Sequence, residues 1–297
     1  MSAKEKTLIV IAGPTAVGKT ALSIEWAKKL NTCILSADSR QFYKEMKIGT
    51  AAPSESELKE VKHHFIAHLS IHDYYNVSMY EIQALEILKQ AFKTNDYVIV
   101  CGGSGLYIDA ISYGIDTLPD PDPVLRKQLT ELHLKEGTDD LLRQLKELDP
   151  EFYEIVDINN PKRILRALEV CIQTNQTYTS LRKNQQKKRD FSIVKYCLSL
   201  PRETLYQRIN RRTDQMIADG LLDEAKALCP FRHLNALNTV GYKELFGFID
   251  GKYTLEESIE KIKTNTRRYA KRQITWFKRD KTYQSISPQE LRNKYLS

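Results

Sequence analysis

Residues 13–20, GPTAVGKT, match G-x-x-x-x-G-K-[ST] in full. They lie between an apolar run, TLIVIA (7–12), and a helical pattern that begins near Lys19. No other feature restricts the chain as much, because the motif requires a strand, a tight loop and a helix in that order. Gly13 and Gly18 permit a tight backbone, and Pro14, Thr15, Ala16 and Val17 complete the loop. The amides from about Ala16 to Thr20 would form an anion nest at a helix N-terminus. Lys19 would set a cation on phosphate oxygens, and Thr20 offers a hydroxyl to Mg²⁺. A diphosphate or a triphosphate would satisfy such a loop. YVIVC (97–101) runs into Gly-Gly-Ser rather than Asp, so no Walker-B acid is evident. That weighs against a motor or switch ATPase. It leaves a small-molecule kinase or another chemistry with a phosphate leaving group.

TCILSA (32–37) and YVIVC read as further buried strands, and residues 78–93 repeat apolar positions at helical spacing. SELKEVKHH resembles a short helix, and HFIAHL alternates like a strand. Strands alternating with helices predict an α/β fold with a P-loop nucleotide-kinase-like parallel sheet and crossover helices. The pattern changes after the turn-rich TLPDPDP (117–123), where Asp120 and Asp122 read as turn and cap residues. From Val124 to about Leu181 it is helical throughout, and FSIVKYCLSLP (191–201) reads as a returning strand. Residues 202–228, 239–249 and 254–279 are helical again. The expected organisation is a core over 1–118, a helical insertion over 119–188, and a core return with a helical C-terminal part over 189–297.

The chain has 297 residues and a net charge of +7, and the location of that charge matters. Lys261–Arg279 holds eight basic residues and no acid, and Arg182–Arg189 holds five and no acid. Without those segments the remainder is net acidic. Such clustering suits a polyanionic partner, although a solvated charged face gives the same pattern. Five widely spaced cysteines without a C-x-x-C pair argue against a thiolate zinc site or a secreted disulfide framework, and fit a reduced cytoplasmic setting. No apolar run approaches the ~20 residues of a membrane helix. The N-terminal apolar stretch ends at a Gly-Pro turn and reads as a strand, not a leader.

Asp38 follows the second strand and opens DSRQFY. In an open parallel sheet, ligands bind beyond the carboxyl ends of the strands, so Asp38 should face the phosphate loop. Its carboxylate could ligate Mg²⁺ or accept a proton from an acceptor nucleophile, or simply cap a turn. Gln41 carries an amide able to read a nucleobase edge. GGSG (102–105) is a second glycine turn, where Ser104 could donate to a phosphate, orient Asp38, or only close the turn. His63, His64, His68 and His72 invite a metal reading, but strand-like alternation does not gather them. The seam Ile262, Thr266, Tyr269, Gln273 and Trp276–Phe277 recurs at helical steps and should be buried, leaving Arg268, Lys271–Arg272, Thr275 and Arg279 on another face.

GPTAVGKT, DSRQFY and GGSGLY, at these separations, resemble the tRNA dimethylallyltransferases, also called tRNA isopentenyltransferases. PKRILRALEV (161–170), RINRRTDQMIADGLLDEA (208–225), TVGYKE (239–244) and AKRQITWFKR (270–279) are similar to further motifs of that family. Ser104 departs from its usual Thr but keeps the hydroxyl, and no C-terminal zinc finger follows, as in the bacterial form. The resemblance implies transfer of a dimethylallyl group from dimethylallyl diphosphate to the exocyclic amine of the adenosine 3′ of the anticodon. It implies Mg²⁺ on Thr20 as cofactor, and Lys19 with Arg212 neutralising the leaving group, Arg208 and Arg211 being alternatives to Arg212. Asp38 would be the base, assisted by Ser104, and Gln41 would read the flipped adenine. The tRNA path would include Asp38, Ser39, Arg40, Gln41, Ser104, Arg126, Lys162, Arg163, Arg166, Lys243, Lys271, Arg272, Gln273, Trp276 and Lys278. A monomer bound to the anticodon stem-loop is expected. The rivals are a P-loop nucleotide or small-metabolite kinase, with the insertion as a lid and Arg163 and Arg166 as phosphate clamps, and a non-catalytic RNA-binding protein.

Overall fold

The computed structural model describes residues 5–183 and 185–295. Six strands form one wholly parallel sheet: β1 (Thr7–Ala12), β2 (Ile34–Ser36), β3 (His63–His64), β4 (Tyr97–Gly102), β5 (Ser192–Leu198) and β6 (Tyr283–Ile286), in the order β3-β2-β4-β1-β5-β6. Both faces of β1 are covered: Ile9 and Ile11 join one apolar cluster, and Leu8, Val10 and Ala12 another. That double burial is why TLIVIA and YVIVC are almost uninterruptedly apolar.

The first cluster lies under α1 (Lys19–Leu30), through Leu22, Ile24 and Trp26. The short α2 (Glu55–Glu60) follows β2. The second cluster lies under α3 (Val77–Ala91) and α4 (Gly105–Tyr113), through Tyr80, Ala84, Leu88, Ile108 and Ile111. Asn76 starts α3 by accepting from the Met79 amide, which satisfies one of the helix's orphan donors.

Two compact units result. The first runs to Ser112 and resumes at Arg189; the second is Tyr113–Lys188. The second begins at the end of α4, ahead of the DPDP turn. It holds α5 (Pro123–Glu136), α6 (Thr138–Leu148), α7 (Pro150–Ile155), α8 (Pro161–Thr174) and α9 (Tyr178–Leu181) around its own core of Leu129, Leu141, Leu145, Phe152, Ile164 and Leu168. Asp122 caps α5, accepting from the Val124 and Leu125 amides.

After β5 the first unit continues with α10 (Arg202–Ala218), α11 (Leu221–Leu228), α12 (Tyr242–Ile249), α13 (Leu255–Phe277) and α14 (Pro288–Tyr295). A third cluster, including Leu221, Leu245 and Ile262, packs α11, α12 and α13 together.

Two expectations need correction. The C-terminal part is not all helical, because residues 283–286 add an edge strand beside β5. Only Tyr283 and Ile286 of that strand are even half-buried, so its pattern is faint. HFIAHL is a strand only at His63–His64; Phe65 and Ala67 take left-handed backbone angles, so the chain turns there and buries Phe65 against Tyr80.

Candidate active site

The phosphate loop leaves the C-terminal end of β1. Gly13 sits so close to β5 that a Cβ there would lie 2.8 Å from the Leu198 carbonyl oxygen. Ala16 is left-handed (φ 63°), a strain seldom kept without a function. Gly18, at φ 105°, starts α1 with no side-chain cap and no acid in the first turn. The helix therefore presents unsatisfied amides and the positive end of its dipole to the loop. Lys19 Nζ donates to the Pro14 carbonyl at 2.8 Å, folded across the loop. Burial pulls its pKa down, while Cys101 and Asp38 hold it up. Thr20 lines the same cleft as Gly18, Lys19, Arg208, Arg211 and Arg212.

β4 lies between β1 and β2, so the ends of β1 and β2 stand about 10 Å apart. Asp38 follows β2 in a tight turn, its Oδ1 accepting from the Arg40 amide at 3.1 Å. The turn is locked to GGSG: Ser104 Oγ accepts from the Ser39 amide (3.0 Å), and the Ser104 amide donates to the Ala37 carbonyl (3.0 Å). Ser104 thus touches Ser39, not Asp38. Tyr269, from α13, lines the cavity with Asp38. Burial raises its phenol pKa, so it is neutral. Sequence reading placed Tyr269 only in a seam; its hydroxyl at helical register with Gln273 was the available signal.

Asp38, Thr15, Arg40 and Arg212 line a cavity together with Ile209, Met216, Leu221, Val240 and Ile262. The structure separates the three arginines of α10. Arg212 is half-buried and reaches Thr15 Oγ1 and the Ala51 carbonyl, both at 3.4 Å. Burial lowers its pKa, opposed by Asp38 and Glu57. Arg208 donates to the Val17 carbonyl at 3.1 Å, and both Arg208 and Arg211 are exposed.

Several residues assigned to RNA are turned inward. Gln41 donates to the Thr50 and Ala51 carbonyls and accepts from Ser36, so its amide has no free edge for adenine. Gln273 is 5% exposed and holds Thr15 and Gly103, out of reach of RNA. Arg40 pins the carbonyls of Asn235 and Ala236. Within the second unit, Arg126 pairs with Glu169 through both nitrogens, and Arg166 reaches the same carboxylate at 2.7 Å. Glu169 is fully buried, and its need for cations explains why these arginines fold back. Trp276 is half-buried; its indole donates to Asp109 at 3.0 Å and Arg279 covers its ring. Lys162, Arg163, Lys243, Lys271, Arg272 and Lys278 are exposed.

Glu224 lies within the 208–225 motif, but nothing in the sequence assigns it a role. Its carboxylate accepts from the Ile48 and Gly49 amides (both 2.9 Å) and from Tyr242 (2.7 Å), fixing the 48–50 turn on the cavity wall. Gln273 and Glu224 look like surface polars in a string of letters, because their partners come from elements distant in sequence.

This geometry has close counterparts. The IPP transferase family model matches residues 41–280. The chain is 50% identical to tRNA dimethylallyltransferase 1 of Bacteroides thetaiotaomicron, over 96% of this chain and 92% of that one. It is 52% identical to tRNA dimethylallyltransferase of Christiangramia forsetii, over 92% of this chain and 90% of that one. The crystal structure of the tRNA isopentenylpyrophosphate transferase of Bacillus halodurans superposes with a TM-score of 0.68 at 35% identity, covering 96% and 90% of the two chains. A eukaryotic dimethylallyltransferase acting on tRNA gives 0.79 at 26% identity, covering 98% of this chain and 76% of that one. A phosphate loop and a carboxylate turn facing one part-apolar cavity, with family matches over most of the length, place this chain in the IPP transferase family of tRNA dimethylallyltransferases.

Proposed function

We propose that the chain transfers a dimethylallyl group from dimethylallyl diphosphate to the exocyclic amine of the adenosine 3′ of the anticodon in tRNA, releasing diphosphate. The observation that carries this is the cavity described above. Its lining includes Thr15 and Ala16 of the phosphate loop, the polar Asp38 and Arg212, and the apolar Ile209, Met216, Leu221, Val240 and Ile262. That lining suits a diphosphate with a short branched hydrocarbon.

Lys19 and Arg212 face the leaving group from positions withdrawn from water, where a cation stabilises developing negative charge more strongly. The Thr20 hydroxyl is a hard oxygen donor beside the anion nest, which fits Mg²⁺ shared with substrate phosphates. When bound, that ion would neutralise diphosphate charge. Asp38 accepts the proton of the adenine amine as the carbon–nitrogen bond forms. Ser104 holds the Asp38 turn in place. Chemistry on a base requires taking it out of its stack, and the exposed Lys243, Lys271, Arg272 and Lys278 supply phosphate contacts for the surrounding RNA. Lys162 and Arg163 offer further cations on the second unit.

The enzyme works as a monomer in the cytoplasm, where its five free thiols stay reduced. No helix among the described residues is long and apolar enough to cross a membrane. The test is incubation with Mg²⁺, labelled dimethylallyl diphosphate and unmodified tRNA, with ATP and a metabolite panel in parallel. Label should enter the RNA and disappear with Asp38→Ala. Phosphate transfer from ATP without label in RNA would make the loop a kinase site.

A further inference from the structure

Gln273 makes two hydrogen bonds from a nearly inaccessible position. Its Oε1 accepts from the Thr15 amide at 2.9 Å, and its Nε2 donates to the Gly103 carbonyl at 2.9 Å. The partners are backbone groups, so their roles are fixed: one can only donate and the other only accept. Among neutral side chains of this length, only a primary amide satisfies both. The fit is close enough that a Cβ on Gly103 would lie 2.1 Å from Gln273 Nε2.

These partners lie beyond the ends of the paired strands β1 and β4, one on each of two neighbouring loops. Thr15 belongs to the phosphate loop, and Gly103 precedes Ser104, which holds Ser39 and hence the Asp38 turn. The link Thr15–Gln273–Gly103–Ser104–Ser39 joins the two on one side. A second link joins them on the other: Arg212 touches Thr15 Oγ1 and the Ala51 carbonyl, Gln41 touches that carbonyl and Ser36, and Ser36 Oγ accepts from the Asp38 amide. The second link contains contacts of 3.3–3.4 Å, at the loose end of hydrogen bonding, whereas both Gln273 bonds are 2.9 Å. The Gln273 strut is therefore the stiffer of the two.

Resting on the transferase reading, we infer that Gln273 is a positioning residue that sets the separation between the donor diphosphate and the Asp38 base. It touches no substrate itself. Losing the strut lets the two loops drift apart while each keeps its own local structure. Binding of either substrate alone then changes little, but their alignment fails. A misplacement of about 1 Å can cost on the order of 100-fold in rate.

The test compares wild type, Gln273→Met, Gly103→Ala and the double variant, with dimethylallyl diphosphate and unmodified tRNA. Gln273→Met keeps length and removes both hydrogen bonds; Gly103→Ala displaces the amide without altering it, and carries the test alone if the first variant fails to fold. Each single variant should lose about tenfold to 100-fold in kcat, with KM for both substrates within about threefold, at temperatures well below its melting transition. Diphosphate released per dimethylallyl group transferred should rise above the wild-type ratio, as water captures the misaligned allyl group to give the alcohol. The double variant should lose no more than the worse single, because both break one contact. Wild-type kcat in the variants, losses that multiply in the double variant, or a kcat loss that only follows a lowered melting temperature would each overturn the role of Gln273. A wild type that transfers no label would instead overturn the transferase reading, and the positioning role with it.

Discussion

The helices α10 and α13 are both rich in cations, yet Arg212 of α10 stands in a different environment from the exposed cations of α13. On α10, Arg212 is half-buried beside Thr15 and Asp38, in the cavity and the phosphate cleft alike. On α13, Arg268, Lys271, Arg272 and Lys278 are exposed, and only the buried face, with Gln273, Ala270 and Phe277, turns toward the core. Withdrawn from water, a cation acts at close range on one charge and salt screens it little. In water, it contributes to a diffuse field that attracts a polyanion and weakens as salt rises. Composition makes these helices look alike, and burial gives them different tasks.

The sharpest way to break that contrast begins at the carboxylate the buried arginine serves. Asp38→Ala should lower single-turnover label transfer by about 10²–10⁴-fold, the usual contribution of a positioned base, with RNA affinity retained. Near-normal transfer would assign the proton to another group. Arg212→Ala should reduce kcat/KM for the donor by roughly 10²–10³-fold, in the range of losing one charge-stabilising donor, with the same RNA affinity and salt dependence as wild type. If it instead flattened the salt dependence, Arg212 would belong with the exposed cations.

Arg126 and Arg166 of the second unit are intermediate: partly exposed, but tied to the buried Glu169. Glu169→Ala should destabilise that unit by about 2 kcal/mol, through lost charge-assisted hydrogen bonds, as read by denaturant unfolding. An unaffected midpoint would mean that the arginines are available to RNA after all. The smallest effect belongs to Lys271→Ala. It should reduce the slope of log affinity against log salt by about one and leave kcat at saturating RNA unchanged. A fall in kcat would bring α13's outer face into the catalytic machinery and erase the distinction between the helices.

The central strands and the phosphate loop were legible because their signals are local. TLIVIA is apolar because both faces of β1 are covered, and Gly13 and Gly18 stand where the backbone must turn and open. The same holds for the Asp122 cap, made within three residues. β6 was not legible, because a short edge strand with two half-buried side chains carries almost no pattern. HFIAHL misled for the opposite reason: its alternation was real, but Phe65 was drawn into the aromatic cluster around Tyr80, and the backbone turned to let it in.

The sequence by itself determined a parallel α/β core, a phosphate loop at the end of its first strand, and a carboxylate beyond its second. These follow from periodicity and from backbone demands that span a few residues. Only the tertiary structure decided which polar side chains line the cavity and which hold its walls together. Gln41 and Gln273 became struts, Arg126 and Arg166 became partners of Glu169, and Arg212 rather than Arg208 or Arg211 came to lie nearest Thr15 and Asp38. The reason is physical: a polar group withdrawn from water must find partners wherever the fold supplies them, and for Gln273, Arg126 and Arg212 the partners lie on elements far away in the chain.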